Sequence, residues 1–258
     1  MKTATTVTKV CRIMEQFQQR QSLGVTDLAR STGLLPSDVH RILTTLRSNH
    51  YVDQDSETKK YRLGVTMMRL GLTAFERNRL REKAQPILVA LSKRIGATTH
   101  LGLLDGQKLE LILMHSINGP AEVTFEAHLG EVEGLHSTAL GKTILASLDY
   151  PTLDSVLKKR GMTRSTSNTI TDAATLEQQL KNVQRCGYAV DHEEFASDLC
   201  CLGSAVRDRT GAVVGAISAS MPSLPFLSWN EARLGAIVKS AASNLSAILG
   251  YNEPHAQS

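Results

Sequence analysis

The chain has 258 residues, 41% of them hydrophobic, with 29 lysines and arginines against 25 aspartates and glutamates and a net charge of +4. That length exceeds one average domain, so two domains are expected; no apolar run approaches the ~18 residues that span a bilayer and no cleavable leader pattern is present, which argues against a membrane protein and for the cytoplasm. The charge is uneven, +7 over residues 1–81 and −3 over residues 82–258, as a polyanion-binding module attached to an acidic domain would show.

Residues 7–17 put Val7, Val10, Cys11, Met14 and Phe17 at helical spacing, with Lys9, Arg12, Glu15 and Gln16 away from them, which predicts a first core helix. GVTDLARSTG predicts a short second helix: Thr26 is placed to cap its start, Leu28 and Ala29 face inward, and Gly33 can end it in the left-handed conformation. After Leu34 and Leu35, Pro36 pre-sets the helical φ of SDVHRILTTLRS, whose buried stripe is Val39, Ile42, Leu43 and Leu46. The opposite stripe is Ser37, His40, Arg41, Thr44, Thr45 and Ser48, short polar side chains with one guanidinium. Such a face suits base edges in a major groove: Arg41 fits guanine O6 and N7 or a phosphate, and the threonines fit a base edge or a thymine methyl. YVDQDSETKKYRLG alternates around a polar turn and predicts a β-hairpin wing carrying Lys59, Lys60 and Arg62, cations suited to backbone phosphates.

From Gly64 to about Gly96 the pattern is helical almost throughout. Met67, Met68 and Leu70 are expected to pack on the winged helix or a partner subunit, or to be ordinary core. THLGLLDGQKLELILMHSI reads as two apolar strands turned at Asp105-Gly106, and VTFEAHLG as a further strand. Helices follow at TALGKTILASL and at about 151–160 and 173–185. Three strands come next, GYAVDHE, CLGSAVRD and AVVGAISAS, the last two joined by DRTG, before a closing helix at about 228–249. Strands flanked by helices in this order predict an α+β sheet domain.

Three blocks give the chain a resemblance to the IclR-type transcription regulators over nearly its full length: Val7 to Leu63 with LARSTGLLPSDVHRILTTL, LHSTALGKTILA at 135–146, and GYAVDHEEFASDLCCLGSAVRDRTGAVVGAISAS at 187–220. The resemblance implies a winged helix-turn-helix over 1–63, a helical linker over 64–83, a GAF-like α+β effector-binding domain over 84–250 and a tail over 251–258. It also implies a homodimer or homotetramer, a pseudopalindromic double-stranded DNA operator, and output more often by repression. In members that bind small carboxylates, the pocket positions correspond to Asp191, Cys201, Ser218 and Ser220, with Gly141 near the pocket wall, so the expected effector is a small organic acid or sugar acid. Two serines one residue apart on a strand point the same way, and their hydroxyls can share a carboxylate or sugar hydroxyls. The chain departs from the family at Ala205, where proline is frequent, and in FASDLC, which replaces a glycine-containing turn.

Other classes lack their parts. GKT at 141–143 ends like a phosphate-binding loop, yet the glycine needed five residues before Gly141 is replaced by His136. GxSxG, GxGxxG and HExxH do not occur, so no enzyme and no cofactor is expected. A metal-responsive regulator would draw on Asp191, His192, Glu193, Glu194, Cys200 and Cys201, but along a strand Asp191 and Glu193 face away from His192 and Glu194, which leaves surface charges and buried thiols as the favoured reading and no metal. A non-catalytic interaction module would leave the basic wing and the polar stripe without a purpose. Cys11, Cys186, Cys200 and Cys201 include no CxxC pair and predict no disulfide framework.

Overall fold

The computed structural model describes residues 4–18, 20–119 and 128–252. The chain divides into two compact units, Met1–Asn78 and Arg79–Ser258. The first holds α1 (Thr5–Gln16), α2 (Val25–Thr32), α3 (Pro36–Ser48), a hairpin of β1 (Val52–Gln54) and β2 (Tyr61–Leu63), and α4 (Val65–Glu76). Its core gathers Ile13, Phe17, Leu28, Val39, Ile42, Leu43, Val52 and Tyr61. Gly33 ends α2 at φ 69° and Pro36 opens α3, so the two helices turn sharply against each other around Leu28 and Leu43. Leu23 exchanges backbone hydrogen bonds with Tyr61 at 2.9 Å in both directions, which ties the root of the hairpin to the start of α2.

The second unit is a five-stranded antiparallel sheet in the order β4-β3-β7-β6-β5, built from β3 (Thr98–Asp105), β4 (Glu110–Ile117), β5 (Ala189–His192), β6 (Leu199–Arg207) and β7 (Val213–Pro222). On one face, α5 (Arg79–Ile95) and α10 (Glu231–Ile248) bury Leu88, Leu91, Val238 and Leu245 against Leu101, Leu202 and Ile217. On the other, α6 (Ala139–Leu145), α7 (Tyr150–Arg160) and α8 (Ala173–Cys186) bury Ile144, Leu153 and Leu176 against Leu111 and Leu113. Both faces are covered, so the central strands β6 and β7 are buried along nearly their whole length. α9 (Ser223–Leu227) links the sheet to α10. No described helix is long and apolar enough to cross a membrane.

Several sequence expectations need correction. On α1 the buried positions are Ile13 and Phe17, with Val10 and Met14 half-buried, while Val7 and Cys11 are exposed. The helix starts at Thr5, and the face it turns to the core is Val10, Ile13 and Met14, continued by Phe17 just past its end. Thr26 does not cap α2: Gly24 is the N-cap, and the Asp27 carboxylate accepts its N–H at 3.2 Å. The closing helix expected at about 228–249 is α10, capped by Asn230 Oδ1 accepting the Arg233 N–H at 3.0 Å, and what the expectation lacked is the short α9 ahead of it. The hairpin turn after Asp105 is longer than a two-residue turn. Asp105 Oδ1 holds the N–H groups of Gln107 and Lys108, and Leu109 takes the positive φ, 52°. Met68 and Leu70 are exposed on α4, which buries no residue within its unit, and Met67 is half-buried. The strand expected at VTFEAHLG lies largely outside the described residues; 128–130 form no strand.

Candidate functional site

The polar stripe of α3 lies on the surface: Ser37, His40, Arg41, Thr44, Thr45 and Ser48 are all exposed, while Val39, Ile42 and Leu43 anchor the opposite side. Thr44 donates to His40 O at 2.9 Å and Thr45 to Arg41 O at 3.1 Å, so their hydroxyl protons are engaged within the helix. Each oxygen is left as an acceptor and each methyl as an apolar contact. Asp38 steadies the start of the face. It pairs with Lys9 at 2.6 Å and more loosely with Arg41 at 3.5 Å, and the Lys9 ammonium holds its carboxyl below the usual range.

Lys59, Lys60 and Arg62 are exposed on the hairpin, with Lys59 at φ 58°. The Asp55 carboxylate accepts from Thr58 N at 2.7 Å and Glu57 N at 3.1 Å, which fixes the tip. A brace that the sequence reading missed joins helix and wing: Arg47 Nη1 donates to Gln54 Oε1 at 2.6 Å, and Gln54 Nε2 donates to Lys59 O at 3.1 Å. Local periodicity carries no signal for that pair, because it depends on the angle between α3 and the hairpin.

In the second unit, four of the five pocket positions meet around one cavity of about 100 Å³: Asp191, Cys201, Ser218 and Ser220 line it, whereas Gly141 does not. The register explains their meeting. Asp191, Cys201, Ser220 and Thr98 form one row across β5, β6, β7 and β3, and Ala189, Gly203, Ser218 and His100 form the next. Directly opposed residues share a face, and rows two residues apart share it too. At Gly203 a Cβ would come within 2.8 Å of the Ala139 carbonyl, so its hydrogen lets α6 settle onto the sheet beside the cavity. Gly141 serves a similar close approach, because a Cβ there would lie 2.4 Å from Gly134 O, and Thr138 caps α6 by accepting the Gly141 N–H at 3.0 Å.

The cavity wall sets acidic and hydroxyl groups among apolar side chains, Leu113, Leu140, Phe195 and Leu199. Asp191 Oδ1 accepts the N–H of Glu194 at 2.6 Å and that of Phe195 at 3.4 Å, while Oδ2 has no hydrogen-bond partner among the described residues. Burial pushes the Asp191 carboxyl up to about 7, partly opposed by those N–H groups and by Lys142. Glu133 is likewise pushed up to about 7, first by burial and then by Glu131 and Asp191. His100, buried with Nδ1 unpartnered among the described residues, is pushed down to about 4 by burial and is therefore a neutral imidazole near pH 7. Burial raises the Cys201 thiol, and Ser220 Oγ donates to its sulfur at 3.2 Å; a protonated, buried thiol is a wall and a weak nucleophile. Unpartnered polar atoms in an enclosed space lose hydration without recovering a bond, so a ligand that supplies donors and acceptors gains that difference.

His100 and Glu133 were absent from the sequence reading, and so was the support behind Asp191. The chain leaves the strand after His192, with Glu193 at φ 58°, and Glu194 folds inward. Strand alternation therefore fails there, and Asp191 and Glu194 are both buried. Glu194 pairs with the fully buried Lys142 of α6, whose Nζ also donates to Gln179 Oε1 at 3.0 Å. The backbone beside them is held by Thr166 and Thr169, which donate to Glu193 O and Glu194 O at 2.6 Å each. Cys200 belongs to the core under α10 and Cys201 to the opposite face, and no group of three metal-ligating side chains occurs among the described residues.

An exposed polar helix braced to a basic hairpin in one unit, and a cavity holding buried carboxyl and hydroxyl groups in another, define a two-part regulator of the winged helix-turn-helix class. Comparison with known proteins makes the class specific. The IclR helix-turn-helix domain matches residues 6–56, and the C-terminal domain of the bacterial transcriptional regulator IclR matches residues 72–247. The chain is 32% identical to the HTH-type transcriptional regulator KdgR of Dickeya chrysanthemi over 96% of its own length and 81% of that protein. It is 30% identical to the HTH-type transcriptional repressor AllR of Klebsiella pneumoniae over 89% of its length and 84% of that protein. The crystal structure of a putative IclR transcriptional regulator from Silicibacter sp. TM1040 superposes with a TM-score of 0.84 at 25% identity, covering 97% of this chain and 98% of that one. The chain belongs to the IclR family of bacterial DNA-binding transcriptional regulators.

Proposed function

We propose that this regulator grips a pseudopalindromic duplex operator with α3 and the wing, acts as a cytoplasmic repressor, and releases or tightens that grip when a small organic acid or sugar acid enters the cavity around Asp191. The observation that carries the reading is the exposed stripe of α3, short-chained and polar, braced through Arg47 and Gln54 to a hairpin bearing three cations. Ser37, His40, Arg41, Thr44 and Thr45 face base edges; Lys59, Lys60 and Arg62 meet phosphates. Asp191, Cys201, Ser218 and Ser220 bind the effector, with Gly141 acting at one remove through the packing of α6. Repression is favoured by the 30% identity to a repressor. The working boundaries are a winged helix over 1–63, a linker over 64–83 and an effector domain over 84–250, and the protein performs no catalysis.

A twofold operator calls for a twofold protein, and the exposed Val65, Met68 and Leu72 on α4 supply an apolar surface for a second copy in a homodimer or homotetramer. Two recognition helices must enter grooves about one helical turn apart, so an effector that alters their separation loses one half-site. Its coupling to DNA equals its difference in affinity between free and bound forms.

The test is selection of bound genomic fragments by the purified chain, followed by titration on the best fragment. Arg41→Ala is expected to cost about 1–3 kcal/mol and relax preference at one base position, whereas Arg62→Ala weakens all sequences alike and lowers the salt slope by about 1. Equal affinity for random and selected DNA, or identical behaviour of the two variants, overturns the assignment of α3 as reader and the wing as clamp.

A further inference from the structure

The sheet has an open edge that the effector cavity does not use. β5 pairs with β6 only as far as Ala189 opposite Gly203, and β6 runs on to Arg207. Beside that stretch lies a groove of about 540 Å³, walled by α6 and α8 on one side and α10 on the other, which shares no lining residue with the cavity around Asp191. Counting on from Ala189, Gly187 would stand opposite Ala205. It is turned out of the ladder instead: its N–H donates to Val183 O and its carbonyl accepts from Ser204 Oγ, both at 2.8 Å.

β6 therefore presents bare backbone to the groove. Glu193 N donates to Leu199 O on the β5 side and Ser223 N to Asp198 O on the β7 side, so alternation sends the odd-numbered N–H groups of β6 toward β5. The Ala205 N–H faces the groove, and no hydrogen bond joins it to Gly187. Arg207 N, next along the same edge, donates to Ser246 Oγ at 2.9 Å. Proline, frequent in the family at the position of Ala205, would have no N–H to offer.

The charges in the groove have one sign: Lys239 and Arg207 line it, and no aspartate or glutamate does. The Lys239 stem lies over Gly187, where an added Cβ would come within 2.7 Å of its Cε, which brings the ammonium to the stretch of edge that Ala205 faces. Lys239 Nζ donates to Cys186 O at 3.1 Å and Arg207 Nη1 to Gly211 O at 2.9 Å. Both bonds end on carbonyl oxygens, and neither cation has an ion pair among the described residues, so neither charge is neutralised. We propose that this groove is a second ligand site, for a small phosphorylated metabolite, with the phosphate on Lys239, Arg207 and the Ala205 N–H and the rest of the ligand against Ser243, Asn244 and Tyr251. A phosphate ester carries nearly two charges and three terminal acceptor oxygens, which match two cations and a backbone donor better than a single carboxylate does.

Calorimetric titration of the full chain at constant ionic strength tests this with three probes: inorganic phosphate, ribose 5-phosphate, and ribose. Phosphate is expected to bind with a Kd of about 1 mM or tighter, ribose 5-phosphate more tightly still, and ribose not at all. Lys239→Met, which keeps the stem over Gly187, and Arg207→Gln are each expected to weaken ribose 5-phosphate about tenfold. Ala205→Pro breaks no ladder bond, because that N–H faces the open edge, and is expected to weaken it about threefold to fivefold with the Tm of the ligand-free protein unchanged. In the parent chain, saturating ribose 5-phosphate should slow hydrogen exchange at the Ala205 amide, a readout that needs no variant. No binding of either phosphate by about 10 mM overturns the site. Binding that survives all three groove variants but is lost in Lys59→Ala combined with Arg62→Ala places the anion on the wing and overturns it equally. Phosphate bound in the groove with ribose 5-phosphate excluded overturns the metabolite, leaving room for an inorganic anion alone.

Discussion

Asp191 combines full burial, one carboxylate oxygen committed to two backbone N–H groups and one oxygen without a hydrogen-bond partner among the described residues. Its carboxyl moves from an ordinary 3.8 to about 7, chiefly through burial. Between those values the unfolded chain has released the proton and the folded chain retains it. The folded state therefore binds more protons, and stability falls as pH rises from about 4 to about 7, levelling off above. Glu133, also raised to about 7 by burial, contributes over the same window in the same direction. Asp191→Asn keeps the oxygen that accepts the Glu194 N–H and removes the ionisation. It is expected to make the decline of Tm with pH shallower, and to raise Tm near pH 7.5 by about 2–4 °C, equivalent to about 1 kcal/mol. A Tm profile from pH 4 to 8 as steep as that of the parent would show that this carboxyl is not the group being desolvated.

At the scale of elements, α6 is tied to the loop after β5 by the buried Lys142–Glu194 pair, and that same loop orients Asp191. Removing one partner of a buried pair strands the other charge, so Lys142→Met is expected to cost about 3–5 kcal/mol in urea unfolding. Pairing it with Glu194→Gln should recover most of the loss. A cost under about 1 kcal/mol for Lys142→Met alone would mean the pair is solvated in solution. The exposed row on α4 makes a separate prediction: Met68→Glu, at a position 59% exposed, should leave the monomer folded and lower the mass measured by light scattering. An unchanged oligomer would assign its interface to another surface.

These elements also mark how far the sequence could be read. The stripe of α3 was legible because period, cap and turn are local: Pro36, Val39 and Leu43 determine which side Arg41 faces. The row Asp191, Cys201, Ser220 was reached through family resemblance. His100 was not, because it meets Ser218 only through the pairing of β3 with β7, elements far apart in the chain. Glu194 was misread for a different reason. Alternation was extended past His192, where a positive φ at Glu193 turns the backbone and carries the next side chain inward to Lys142.

The whole molecule is two cores of unequal size. Ile13, Leu28, Leu43 and Tyr61 centre the core of unit Met1–Asn78, and the two clusters on either side of the sheet make that of Arg79–Ser258. A unit of that smaller size buries a smaller share of its unfolded surface, so it holds less stability in reserve. Calorimetry of the full chain is therefore expected to give two transitions, the lower belonging to the winged-helix unit. Ligands identify them independently. Operator DNA at a hundred times its Kd adds about 2.7 kcal/mol to whichever unit binds it, so the lower transition moves up while the upper stays. A bound acid should do the reverse. If DNA instead moves a single cooperative transition, the two units unfold as one, and regulation passes through a shared folding equilibrium rather than through a change of spacing between recognition helices.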